Sequence, residues 1–187
     1  MRPTIYMLAI MPPPELTKDI EQVRFAFAEK YHCKAALKPP VHITLIPPYK
    51  TTPDSVDKLV PSLQQWGQTQ IPFPVTLQDY ATFKNNGVVY IDVEKNDLLQ
   101  LFQKDLRRRF LDVLPMPEVK RFTSFHPHIT IGYRDIPKQV FGEAAKEYTS
   151  RSFFATFVVN IFYLWRHNGK HWEVLHSFTI GNTGKLS

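Results

Sequence analysis

Two rhythms of apolar residues alternate along the chain: short β-branched and aromatic runs, and longer stretches with helical spacing. Residues 5–10 form an apolar run bounded by proline, which predicts a strand. Residues 15–31 place Leu16, Ile20, Val23, Phe27 and Tyr31 at helical intervals, with Pro13 and Pro14 suited to the first turn. A basic loop over 34–40 leads to a strand at 42–46, which Pro47 and Pro48 are expected to stop. A helix over 53–66, capped by Thr52, and a strand at 73–77 complete the first half.

The second half repeats the order. A strand at 88–93 follows the turn signal Asn85-Asn86-Gly87, and an amphipathic helix spans 98–111 with Arg107, Arg108 and Arg109 on its wet face. A loop over 115–124 carries Lys120 and Arg121. A strand at 128–133, a helix at 137–148 and two strong strands at 153–165 and 172–180 follow, the last two joined by a turn at Asn168-Gly169. His128 follows His42 by 86 positions, Val89 follows Ile5 by 84, and Pro137 follows Pro53 by 84. This near-constant spacing points to an internal duplication, with halves at about 1–84 and 85–187 forming one α+β unit with two lobes and a groove between them.

Within that frame the same tetrad occurs twice, as His42-Ile43-Thr44-Leu45 and His128-Ile129-Thr130-Ile131. In a strand, alternate side chains share a face. Each histidine therefore lies beside a threonine, while the aliphatic residues anchor the strand from behind. One such tetrad is more often an ordinary strand histidine than a catalyst; two at equivalent places are a far stronger signal. Displacement at phosphorus sets the entering and leaving oxygens in line, so a base on one side and an acid on the other suit it. Imidazole serves both roles near neutral pH. The hydroxyls of Thr44 and Thr130 are placed to donate to the phosphoryl oxygens.

Composition sharpens this only slightly. The chain has 187 residues, 43% hydrophobic and 21% charged, with a net charge of +6 that suits phosphate-bearing partners. Cys33 is the single cysteine, so an intramolecular disulfide and a cysteine-based zinc site are both excluded. No apolar run is long enough to span a bilayer, and the short run after Met1-Arg2-Pro3 lacks a cleavage signature. These features give a cytoplasmic expectation, without membrane association.

The paired tetrads in two similar halves resemble the 2H phosphoesterase superfamily, which includes bacterial 2′-5′ RNA ligases and RNA 2′,3′-cyclic phosphodiesterases. The resemblance runs from the strand at Ile5 to the strand ending near Ile180. It implies a bilobal α+β fold whose two pseudo-symmetric halves each carry a mainly antiparallel sheet with outer helices. It also implies catalysis without metal or other cofactor, by His42 and His128, with Thr44 and Thr130 binding phosphate. The substrate class it implies is a nucleotide or RNA with a cyclic phosphate or a 2′-5′ linkage; a monomer is expected separately. One departure is the continuation of the first tetrad as Ile46-Pro47-Pro48-Tyr49-Lys50, where better-known RNA ligase members carry a Phe-Leu-Gly-like segment.

Weaker candidates flank the motifs. Tyr49 and Tyr133 are candidates to stack on a base or ribose, and Lys50 and Arg134 to attract phosphate, each against the plainer reading of an exposed strand end. Lys38, Lys120 and Arg121 are placed to steer an anion, although a solvated loop is the commoner role. His126 beside His128 raises a metal pair, disfavoured because no acidic residue or cysteine lies in the four positions before it. His32, His167, His171 and His176 have no comparable partners. A non-catalytic nucleotide or RNA-end binding module is the main alternative function.

Overall fold

The computed structural model describes residues 3–181; Met1 and Arg2, part of the run read for a targeting signal, lie outside them. In chain order the strands are β1 (Thr4–Ile10), β2 (Ile43–Thr51), β3 (Phe73–Phe83), β4 (Val88–Val93), β5 (His128–Gly132), β6 (Phe154–Val159), β7 (Ile161–His167) and β8 (Trp172–Thr179). The helices are α1 (Pro14–Tyr31), α2 (Pro53–Gln68), α3 (Asp97–Val113), α4 (Pro117–Arg121) and α5 (Lys138–Thr149). The strands form two four-stranded antiparallel sheets, ordered β2-β1-β7-β8 and β5-β4-β3-β6. This is the expected α+β class. No helix among the described residues is long and apolar enough to cross a membrane.

Four local expectations need correction. β2 does not stop at Pro47 but runs on to Thr51. It is an edge strand, and its register against β1 shifts between the pairs Tyr6–Tyr49 and Leu8–Ile46, so the prolines sit at an irregularity where ladder donors are dispensable. Thr52 occupies the first cap of α2, but its hydroxyl meets Ser55 Oγ at 3.1 Å rather than a backbone N–H. The loop over 115–124 contains α4, opened by Pro117 at a first-turn position. The apolar run 153–165 is two strands in different sheets, broken at Asn160, the one polar residue between Phe157 and Tyr163.

The sheets interlock across the two halves. β3 joins the sheet of β4, β5 and β6, while β7 and β8 join that of β1 and β2. The helices cross over as well: α1 packs on β5, and α3 packs on β2. One apolar core is common to both sheets, running from Tyr6, Leu8 and Ile10 of β1 to Ile129 and Ile131 of β5. The opposite face of β1 presents Met7 and Ala9 to a smaller cluster with Trp165, flanked by Tyr163 and Trp172.

The α1–β5 contact depends on a missing side chain. A Cβ at Gly132 would lie 2.3 Å from the Phe27 ring, which is fully buried and packed on Tyr31 and Tyr148 with ring centroids 4.9 Å away in each case. The ring has no free direction in which to yield. Replacing Gly132 with alanine should therefore cost about 1–3 kcal/mol. Gly142 in α5 has open space beside it, and Gly142→Ala should instead add about 0.5–1 kcal/mol. Denaturant unfolding of the two variants reads both signs.

Candidate active site

β2 and β5, the strands that carry the tetrads, are edge strands of different sheets and lie against each other. Ile43, Leu45, Ile129 and Ile131 are at most 1% exposed, so the apolar members of both tetrads do anchor their strands from the core side. The alternate face carries His42 and Thr44 from one sheet and His128 and Thr130 from the other, all partly exposed. His42 immediately precedes β2, and His128 opens β5 opposite Asp92 of β4.

Both imidazoles are held in the same way. His42 Nδ1 lies 2.7 Å from the carbonyl oxygen of Pro40, and His128 Nδ1 lies 2.8 Å from that of His126. A carbonyl only accepts, so Nδ1 must be the donor in each ring. When the ring is neutral, Nε2 is left with its lone pair free, as a general base requires. The His42 ring packs beside Trp165 at 5.3 Å, and His128 lies 5.1 Å from both Phe83 and Tyr90.

These surroundings lower both pKa values. Burial pushes His42 down to about 4, with the Arg24 guanidinium and His128 adding to the effect and the Pro40 carbonyl opposing it. Burial also lowers His128, with the His126 ring adding to the effect and the His126 carbonyl and Asp92 countering part of it. His126 Nε2 sits 3.0 Å from Asp92 Oδ1. That pairing ties His126 to β4. Among the described residues no three His, Cys, Asp or Glu side chains converge on one point.

A cavity of about 250 Å³ opens beside the tetrads, with His42, Thr44, Thr130, Tyr133 and Arg134 in its wall. Tyr133 and Arg134 thus lie where a ligand-contacting role needs them. Tyr49 does not: it is 2% exposed, in the core between Tyr6 and Phe110. Lys50 pairs with Ile5 at the far end of β2 from His42 and lines a different depression, with Arg166 and His167. Lys38, Lys120 and Arg121 are exposed. Arg107 is not on a free wet face, because its guanidinium donates to the carbonyls of Val119 and Lys120 at 3.1 and 2.6 Å. His32 ends α1 in a left-handed conformation, and His167 and His171 belong to the turn between β7 and β8. His176 pairs with Leu164 in that hairpin.

Two wall residues were not anticipated. Trp172 of β8 contributes an aromatic surface, and Arg24 of α1 contributes a charge. Arg24 is 4% exposed, and burial pulls its pKa down to about 10. Its signal was present in the spacing: Ile20, Arg24, Phe27, Ala28 and Tyr31 are the buried face of α1, and an arginine stands in the middle of it.

Comparison with known proteins bears on the family and the fold. Residues 12–171 match the family model described as the 2′-5′ RNA ligase superfamily. A Bacillus mycoides protein provisionally named a phosphoesterase is 25% identical over 167 residues, covering 88% of this chain and 92% of that one. Among solved structures, E. coli LigT complexed with 3′-AMP superposes with a TM-score of 0.69 at 20% identity, covering 95% of this chain and 98% of LigT. TT0787 of Thermus thermophilus gives 0.63 at 22% identity, covering 98% and 100%.

Burial of His42 predicts a pH effect on stability. Its folded pKa lies below the unfolded value, so its contribution is present above about pH 6.5 and is lost as pH falls towards 4. The unliganded protein should lose on the order of 2 kcal/mol from this group over that window. Denaturant unfolding of wild type and His42→Asn at pH 7 and pH 4.5 isolates it: the gap between the two proteins should shift in favour of the variant at the lower pH.

Proposed function

The chain belongs to the 2′-5′ RNA ligase superfamily, and from that membership we propose that it opens 2′,3′-cyclic phosphates of nucleotides or RNA ends by two-histidine acid–base catalysis. The observation that carries the proposal is the matched pair of imidazoles on abutting edge strands, each with Nδ1 tied to a backbone carbonyl and a threonine beside it.

In this mechanism His42 acts as base and His128 as acid. His42, the ring next to the Arg24 charge, is held uncharged, whereas Asp92 favours the protonated form of His128. Water gives a proton to His42 Nε2 as its oxygen bonds to phosphorus. The bond from phosphorus to one ribose oxygen breaks, and that oxygen takes a proton from His128 Nε2. The hydroxyls of Thr44 and Thr130 donate to the non-bridging oxygens throughout. A 5′-hydroxyl in place of water, with departure of the 3′ oxygen, would leave a 2′-5′ phosphodiester, so the same residues serve joining and cleavage. The scheme calls for no metal. E. coli LigT has been solved with 3′-AMP, ATP and NADP+, which supports a nucleotide as the ligand of the corresponding groove here.

The test is turnover of the four nucleoside 2′,3′-cyclic monophosphates in excess chelator. His42→Ala and His128→Ala should each lose about 10²–10⁴ in rate. Wild-type activity in both variants overturns the mechanism, and nucleotide binding with no product from the wild type favours a binding module. The pH profile adds a second check. The productive form has one imidazole neutral and the other protonated, and both pKa values lie below 6.5. kcat/KM should peak on the acid side of that value and fall as pH rises through neutrality.

A further inference from the structure

The catalytic pocket contains a buried cation that neither tetrad accounts for. Arg24 donates from Nη2 to the Pro39 carbonyl at 2.8 Å, and no ion pair to it forms among the described residues. Its Nε is buried and has no partner. Glu21, three residues earlier on α1, eases the cost of burying this guanidinium without forming an ion pair to it, and a donor left unsatisfied adds to that cost.

The other half of the molecule shows what the same position does when its role is only structural. α3 begins 83 residues after α1, and Arg107 follows Arg24 by the same 83. Each arginine reaches from its helix to the segment leading into its own tetrad. Arg107 uses both Nε and Nη2 on carbonyls there. Arg24 uses Nη2 alone and keeps Nε free, in the wall that also holds His42, Thr44 and Thr130.

We propose that Arg24 is the fixed cation that receives the non-bridging oxygens of the phosphoryl group in this pocket. The inference deepens the function proposed above and rests on it for the identity of the reacting group. The threonines are neutral donors, His42 is held uncharged, and the proton His128 carries in the productive form is given up to the leaving oxygen, so neither tetrad supplies a permanent positive charge. Arg134 is exposed and stacked on Tyr133, 5.1 Å from the ring centroid, so its charge is largely solvated. Arg24 alone offers a charge already stripped of water, which makes it the strong partner for a phosphoryl oxygen. It is near enough to His42 that its charge disfavours protonation there, keeping the base ready while the anion is being bound.

The experiment titrates inorganic phosphate into the full chain and follows the Arg24 Nε–H resonance, which requires no variant and no turnover. The resonance should shift as phosphate binds. Binding without that shift overturns the proposal, as does failure to bind phosphate at all. In parallel, Arg24→Met should weaken phosphate binding about 10- to 100-fold and Arg24→Lys should retain most of it. The His42 titration should move upward in Arg24→Met, a change that a merely structural tether would not produce. A folded Arg24→Met protein with wild-type phosphate affinity overturns the proposal. Phosphate binding through Arg24 in a protein that opens no cyclic phosphate would remove the functional reading and leave this one standing; turnover with Arg24 silent would do the reverse.

Discussion

The site depends on the contact between α1 and β5. Gly132 lets the Phe27 ring sit where a side chain would otherwise be, so the helix that follows β1 lies flat on the histidine-bearing edge of the other sheet. α3 makes the reciprocal contact on β2, with Phe110 against Tyr49 and Gln103 Nε2 donating to the Leu45 carbonyl at 3.0 Å. Edge strands are usually hazards, because their free ladder groups invite pairing with other chains. Here each is backed by a helix from the opposite half, and the two edges meet. Core packing thus fixes the two strands relative to each other, and the Pro40 and His126 carbonyls just ahead of them orient the rings, which suits catalysis with small positional tolerance.

The same packing dehydrates the groups it positions. An imidazole depressed to about 4, a second one lowered, and a guanidinium brought down to about 10 are all charges disfavoured by their surroundings in the unliganded protein. Each becomes favourable when an anion enters. An anion is therefore the kind of ligand that would relieve these costs, and in the proposed mechanism the phosphoryl group fills that place. Such stored cost is common at functional sites, where the rest of the fold is stable enough to impose it.

What the sequence revealed, and what it hid, follows the range of the interaction concerned. The tetrads were legible because alternation within a strand is local, and the buried Ile43, Leu45, Ile129 and Ile131 show that alternation. Helix positions were legible for the same reason. The prolines at 47 and 48 misled because their effect depends on whether a strand is central or at an edge, which no local pattern states. Tyr49 misled in the same way: nothing near it in sequence marks it as the residue covered by Phe110. Asp92 could be connected to His126 only through the pairing of β4 with β5. Arg24 is the instructive case. Its position on the apolar face of α1 was visible, but that the face also borders a cavity depends on where α1 lands, on the far sheet.

The repeated tetrad supplies two imidazoles, but equal surroundings would leave a reaction without direction. The surroundings of the two tetrads differ. Arg107 makes two carbonyl bonds where Arg24 makes one, so among the described residues the buried, unpaired cation at the pocket belongs to the first half, while Arg134 of the second half is exposed there. Asp92 lies opposite His128 and acts on it, whereas His42 lies just before β2 and no carboxylate is among the groups that shift it. A cation beside one ring and a carboxylate near the other separate the protonation preferences of two groups whose backbone restraint is the same. In the proposed mechanism that separation assigns base and acid, and it arises from residues outside the repeated motif. On that reading the repeated motif provides the two proton carriers, and the residues around it give the reaction its polarity.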